Sequence, residues 1–256
     1  MLEKTKCIAL NPVRYSDSSI IARLYSREYG RISLMIKGIN SRKKDKHSIM
    51  FRPFFILDLE IYYKASKELQ TMKESTVSFA PYNIYSDVKK SCVAMFLGEV
   101  LTSILKEESP NAELFDFIEE SVKYYDQSSD GFANFHLAFL AGLSSFLGFE
   151  PGKKQNDNQI FFDMKNGSFA EMPPMHGYFS NMENSAILAR IFASSFDNVK
   201  NIAMTGKQRN EILDNLLGYY NLHLPGLTSI KSLEVLKEIF VSQSTHITLS
   251  RPYIIS

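Results

Sequence analysis

The stretch Ser19–Lys37 reads SIIARLYSREYGRISLMIK, and its reading decides the architecture of the first third of the chain. Ser19 to Tyr25 is rich in β-branched and aromatic residues, Glu28-Tyr29-Gly30 turns the chain, and Arg31 to Lys37 follows as a second strand. In that strand Ile32, Leu34 and Ile36 alternate with Arg31, Ser33, Met35 and Lys37, so one face is buried. Working outward, Lys6 to Leu10 is a short strand broken by Asn11-Pro12. Phe54 to Tyr63 is a longer strand, and Leu69 to Phe79 supplies a fifth. Five strands in about 75 residues, with a basic loop between the third and fourth, suit a small closed barrel.

Pro81 ends this pattern and the period changes. Val88, Cys92, Val93, Phe96, Leu97, Val100, Leu101, Ile104 and Leu105 form a helical stripe. Ser109-Pro110 interrupts it, with the proline placed to open the next helix. Leu114, Ile118 and Val122 line that helix, whose other face is acidic through Glu113, Asp116, Glu119 and Glu120 and reads as a solvated face rather than a metal site. Gly131 to Phe149 carries no formal charge and approaches spanning length, but its large residues follow one face of a buried helix. Residues 150–182 lose helical period, and Asn166-Gly167 between Ile160-Phe161-Phe162-Asp163 and Ser168-Phe169 signals a hairpin. Helices return over Glu183 to Phe196, from Thr205-Gly206-Lys207-Gln208 (a capping box) through Leu222, and over Ser232 to Phe240. The expected organisation is α+β: a barrel over 1–80, then a mainly helical domain over 81–256 with a small hairpin insertion near 150–182.

The net charge of +1 hides an asymmetry: residues 1–80 balance to +7 and residues 81–256 to −6. Such a division points to two units with different partners. The densest basic run is Arg42-Lys43-Lys44-Asp45-Lys46, preceded by Lys37 and followed by Arg52. A run like this is ordinarily a solvated loop, but the regional excess favours a phosphate-binding surface.

Two cysteines exclude a disulfide scaffold and any all-cysteine zinc site. Cys7, in a strand, and Cys92, on an apolar stripe, read as small core residues. The opening Met1-Leu2-Glu3-Lys4-Thr5-Lys6 lacks the apolar region of a secretory leader, so a cytoplasmic location is expected. There is no Gly-rich phosphate loop, GxSxG elbow or HExxH, and the five histidines show no ligand spacing. His136 reads as a satisfied core histidine. No catalytic residue is named, and the expected activity is non-enzymatic.

The order of these features resembles the RecO family of bacterial recombination mediators. The resemblance is carried by Asn11-Pro12-Val13-Arg14-Tyr15-Ser16-Asp17-Ser18-Ser19, Gly30-Arg31-Ile32 and Lys37-Gly38-Ile39-Asn40-Ser41-Arg42-Lys43. Phe149-Glu150-Pro151 and Leu222-His223-Leu224 extend it into the second domain. It implies an OB-fold that binds single- and double-stranded DNA. It also implies a helical domain that contacts RecR and the acidic C-terminal tail of single-stranded DNA-binding protein. The implied function is a mediator that anneals complementary strands and assists recombinase loading on coated DNA. A protein–protein adaptor whose barrel binds no nucleic acid is the alternative; an enzyme with an unrecognised site is a third reading. Many family members carry a four-cysteine zinc motif beside the hairpin, whereas residues 150–182 contain no cysteine, so neither metal nor cofactor is expected. The family's basic residue after a C-terminal serine is also missing, because Leu233 follows Ser232.

These readings name the candidate residues. Lys37, Arg42, Lys43, Lys44 and Lys46 are expected to hold phosphates, with Arg14, Arg31 and Arg52 behind them. Tyr25, Phe54 and Tyr62 have rings able to stack on bases, but core packing is the expected role of each. An acidic tail ending in an apolar residue suits an apolar pocket with a cation at its mouth, for which Arg190, Lys207 and Arg209 are the candidates, each reading equally as an ordinary helix-surface charge. Ile160, Phe161, Phe162, Phe169 and Tyr178 are expected to pack the hairpin region without a metal.

Overall fold

The computed structural model describes residues 1–37, 48–106, 109–224, 227 and 230–241. Strands β1 (Leu2–Ser16), β2 (Ser19–Ser26), β3 (Gly30–Lys37), β4 (Ile56–Tyr62) and β5 (Leu69–Phe79) close a barrel in the order β1-β2-β3-β5-β4. All neighbours are antiparallel except β3 and β5, which close the barrel in parallel through Ser33–Leu69 and Leu34–Gln70. This is the five-stranded OB-fold arrangement. Ile32, Leu34 and Ile36 point inward as their alternation requires, joined there by Cys7, Ala9, Ala22, Leu24, Leu57 and Leu59. Burial pushes the Cys7 thiol up to about 12, so it packs as a small apolar group.

Asn11-Pro12 does not break β1. The strand pairs with β4 only over Leu2–Ile8 and continues along β2, with a register shift between Ala9 and Asn11. After Ala9, whose N–H donates to the Phe55 carbonyl, β1 has no strand partner on that side, so a residue without an N–H is tolerated there.

The helical part consists of α1 (Tyr82–Ser86), α2 (Val88–Ile104), α3 (Ala112–Gln127), α4 (Phe135–Phe146), α5 (Met182–Phe192), α6 (Phe196–Val199), α7 (Gly206–His223) and α8 (Leu233–Val241). Pro110 is not the first helical residue: Asn111 caps α3 and accepts from the Leu114 N–H, leaving the proline outside. Val88 opens α2 exposed, away from the stripe expected to bury it. The helix expected through Phe196 ends at Phe192, and Ser195 starts α6 with a capping box. Thr205 caps α7 with the expected box. Among the described residues no helix is long and apolar enough to cross a membrane.

The second core is shared. Ile8, Leu10, Tyr25, Phe54 and Ile56 face out of the barrel and pack into the same apolar cluster as the helices. Alternate residues of β1 thus fill two cores, which explains the unbroken apolar run Cys7–Leu10. At the junction α2 lies directly on β1: a Cβ at Gly98 would collide with the Leu10 carbonyl oxygen and crowd Pro53. The acidic face of α3 is not simply solvated. Asp116 takes Arg27 in a two-pronged ion pair, and Glu119 accepts from Lys6 of β1 and Lys123 of α3, both at 2.6 Å.

Beside the helices, β6 (Phe161–Asp163), β7 (Ser168–Ala170) and β8 (Phe179–Ser180) form a small sheet in the order β7-β6-β8. Gly167, at φ +61°, completes the Asn166-Gly167 turn. Asp163 organises the region, accepting from the Lys165 and Asn166 backbone N–H groups, the Asn166 amide and His176 Nε2. Phe162 and Phe169 are buried, but Tyr178 is half exposed and packs little of the region. His136 is core as expected but not satisfied: neither ring nitrogen has a partner among the described residues.

Candidate nucleic-acid interface

The outer face of β2 and β3 follows from the same alternation that fills the barrel. Ile21 and Arg23 on β2, and Arg31, Ser33 and Met35 on β3, are half-buried and point away from the interior; Lys37 ends the strand exposed. The register sets Ser19 opposite Lys37, Arg23 opposite Ser33 and Tyr25 opposite Arg31. Arg23 and Arg31 are therefore diagonal neighbours, roughly 7–8 Å apart. Two cations so placed repel unless an anion lies between them. Together with Ile21, Ser33, Glu68 and Leu69 they line a hollow of about 410 Å³.

A second hollow, about 470 Å³, brings Arg14 and Arg23 together with Lys231, which precedes α8. Its carboxylate, Glu99 of α2, is already engaged, because Oε2 accepts from the Ser232 N–H at 3.0 Å and hydroxyl at 2.8 Å. Asn11, Pro12 and Glu99 also belong to a third hollow, which contains Arg52. The three therefore form a row, joined through Arg23 at one step and through Asn11-Pro12 at the next.

Ion pairing separates the barrel's cations into two groups. Lys4 and Lys73 are tied to Glu60, Lys6 to Glu119 and Arg27 to Asp116. The two lysines hold the Glu60 carboxyl below its usual range; Arg27 does the same for Asp116. Arg23, Arg31, Lys37, Arg52 and Lys231 have no acidic partner within ion-pairing distance among the described residues. Arg14 meets Asp17 at 3.6 Å, but both are solvated, so that pair holds the arginine weakly.

Of the residues singled out from the sequence, Arg31, Arg14 and Arg52 lie along this row, and Lys37 ends β3 exposed on the same outer face. Arg42, Lys43, Lys44 and Lys46 lie outside the described residues. Tyr25 and Phe54 are core, whereas Tyr62, expected in the core, is half exposed on β4. Arg23 and Lys231 were not anticipated. The signal for Arg23 was present, since it alternates with Ala22 and Leu24. Lys231 reaches the row only through tertiary folding.

The cations proposed for a partner's tail separate as well. Arg190 is exposed on α5, and exposed Lys207 reaches Glu211 at 3.8 Å. Arg209 turns inward instead. It donates to Asn134 Oδ1 at 2.9 Å and to the Met204 carbonyl at 3.4 Å, with its guanidinium 5.2 Å from the centre of the Phe240 ring. Burial lowers its pKa, and its Nε and Nη2 already donate within the chain. Among the described residues no group of three or more His, Cys, Asp or Glu is placed to hold a metal ion.

Comparison with known proteins covers nearly the whole chain. The family model described as "Recombination protein O N terminal" matches residues 1–80, and "Recombination protein O C terminal" matches residues 85–234. The DNA repair protein RecO of Phocaeicola vulgatus is 35% identical over 240 residues, which cover 94% of this chain and 100% of the relative. That of Bacteroides fragilis is 34% identical over 242 residues, 94% of this chain and 100% of the relative. That of Flavobacterium psychrophilum is 33% identical over 239 residues, 93% of this chain and 98% of the relative.

Proposed function

This chain belongs to the recombination protein O family, and on that premise we propose that it is a non-catalytic, DNA-binding recombination mediator. Family membership carries a role in DNA repair and recombination. In the finer reading the protein binds single- and double-stranded DNA, anneals complementary strands and assists recombinase loading on DNA coated by single-stranded DNA-binding protein. It does so in the cytoplasm, with RecR and the coating protein's C-terminal tail as partners of the helical part.

The observation that carries this reading is the row of cations through β2–β3 that have no strong acidic partner among the described residues, set against Lys4, Lys6, Arg27 and Lys73, which are ion-paired. Unpaired cations release little when they take a phosphate, whereas Lys6 or Arg27 would have to abandon a carboxylate. Annealing then needs no covalent step. Two phosphate backbones held on one cationic surface repel each other less, and each contact releases condensed counterions. Arg42, Lys43, Lys44 and Lys46, which follow Lys37 in the sequence, are proposed to hold phosphate as well. For the partner tail, Arg190 and Lys207 remain solvent-facing candidates.

Two measurements test the reading: anisotropy of labelled single and double strands under rising salt, and energy transfer between complementary labelled strands. Binding should weaken with salt for both forms, and the protein should speed pairing of the complementary strands. Replacing Arg42, Lys43 and Lys44 together by Glu should lower the salt slope by roughly 2–3 if all three touch phosphate. Salt-independent or absent binding, without faster pairing, would refute the proposal.

A further inference from the structure

We propose that the hollow between the barrel and α2 is a nucleobase site, taking one unstacked base from a single strand whose phosphates lie along β2–β3. This rests on the DNA-binding reading and adds to it a place where a base is held. The hollow measures about 460 Å³ and is walled by Asn11, Pro12, Arg52, Pro53, Tyr85 and Met95. Its size falls within the roughly 300–1,000 Å³ of small-molecule sites.

The chemistry of the walls fits a flat, π-rich, edge-polar ligand. The Arg52 guanidinium carbon lies 5.5 Å from the centre of the Tyr85 ring, and the Tyr85 hydroxyl donates to the Pro53 carbonyl at 2.9 Å, which fixes the ring. Aromatic faces and guanidinium planes are the surfaces on which proteins stack splayed-out bases. Met95 stands 52% exposed at the mouth, although its helix neighbours Ala94 and Phe96 are fully buried. An exposed, deformable thioether beside an aromatic ring suits a ligand that slides in edgewise. Asn11 offers an amide donor and acceptor for the base edge.

The Arg52-Pro53 wall is rigid. Phe54, the next residue, holds φ at +74°, a conformation rarely adopted by a bulky side chain. Its N–H donates to the Ala9 carbonyl at 2.7 Å, and the Ala9 N–H donates to the Phe55 carbonyl at 2.8 Å. Strain of this kind tends to gather where a surface must be presented in one shape. The hollow also shares Asn11, Pro12 and Glu99 with the neighbour containing Arg14, Arg23 and Lys231, so a strand lying along the cations passes its mouth.

The test uses the full chain and two labelled strands of about 15 nucleotides, a length suited to one OB-fold. One is oligothymidine; the other is its abasic sugar–phosphate counterpart. The base-bearing strand should bind about tenfold or more tightly, the amount one stacked base contributes. Met95→Ala and Tyr85→Leu should each shrink that preference while leaving the salt slope unchanged. Alanine is tolerated at an exposed helix position, so Met95→Ala decides the matter alone if Tyr85→Leu misfolds. Equal affinity for the two strands, with a normal salt slope, overturns the base site and leaves the DNA-binding reading standing. A preference unchanged in Met95→Ala also overturns it, leaving an apolar protein side chain as the occupant of these walls. No binding of either strand overturns both.

Discussion

His136 provides a quantitative prediction about the helical core. Its ring stacks on Phe240 at 5.4 Å and meets Phe96 edge-on at 6.4 Å, wholly buried on α4. Burial, and after it the charge of Arg209, pushes its pKa down from 6.5 to about 3. Between those values the unfolded chain binds a proton that the folded chain refuses. The folded value is the lower one, so this contribution to stability is complete above about pH 6.5 and drains away as pH falls toward 3. With these two values, linkage gives a loss of about 2 kcal/mol between pH 7 and pH 5. His136→Leu should remove that loss. It also relieves the burial of unpartnered polar nitrogens, worth roughly 1–3 kcal/mol, so the variant should be more stable at pH 7 as well. Urea unfolding at pH 7 and pH 5, followed by circular dichroism, reads both effects. The depressed carboxyls of Glu119 and Asp163 titrate lower and leave this window clear. Equal wild-type stability at the two pH values, or the same loss in His136→Leu, would refute the reasoning.

Further predictions concern the junction and the hairpin. Gly98→Ala should force α2 off β1, because its Cβ meets backbone rather than a movable side chain; the cost is about 1–3 kcal/mol in a thermal melt. Glu119→Gln should destabilise by roughly 1–3 kcal/mol at pH 7, since Lys6 and Lys123 lose their shared carboxylate. Burial alone would raise the Glu119 pKa, but Lys123 and Lys6 outweigh it and hold it below 4.5. The difference from wild type should therefore shrink as pH falls below that value. Asp163→Ala removes the acceptor of two backbone N–H groups, the Asn166 amide and His176, and should speed proteolysis within residues 161–180. A chelator should leave the wild-type melt where it was.

The order of elements was legible because hydrophobic period is a local property: two in the barrel, near 3.6 after Pro81, and lost again around Asn166-Gly167. The sequence misleads mostly where a distant partner decides the outcome. Pro12 reads as a breaker, yet the stretch of β1 it sits in pairs with β2 alone. Glu119 reads as a solvated face, because nothing local says that Lys6 of β1, 113 positions earlier, will fold against it. Pro110 is the local exception: it reads as a first helical residue, but its neighbour Asn111 is the cap. Arg209 reads as a surface cation, while Asn134 and Phe240 draw it inward. The candidate site was half visible. Arg31 and Lys37 follow from the alternation of β3, and Arg23 from the same rule applied to β2, whereas Lys231 and the Arg52–Tyr85 stack depend on how the helices dock.

Cations on β2–β3 without an acidic partner among the described residues, rather than the barrel's charge as a whole, are proposed to hold phosphate. The most direct measurement compares the salt dependence of single-strand binding for Arg23→Ala/Arg31→Ala with that for Lys4→Ala/Lys73→Ala. Both double variants lose two positive charges, but the second removes only cations already tied to Glu60. The first should lower the slope by about 1.4, at roughly 0.7 per phosphate contact, while the second should leave it unchanged. Equal slopes in the two variants would contradict the proposal.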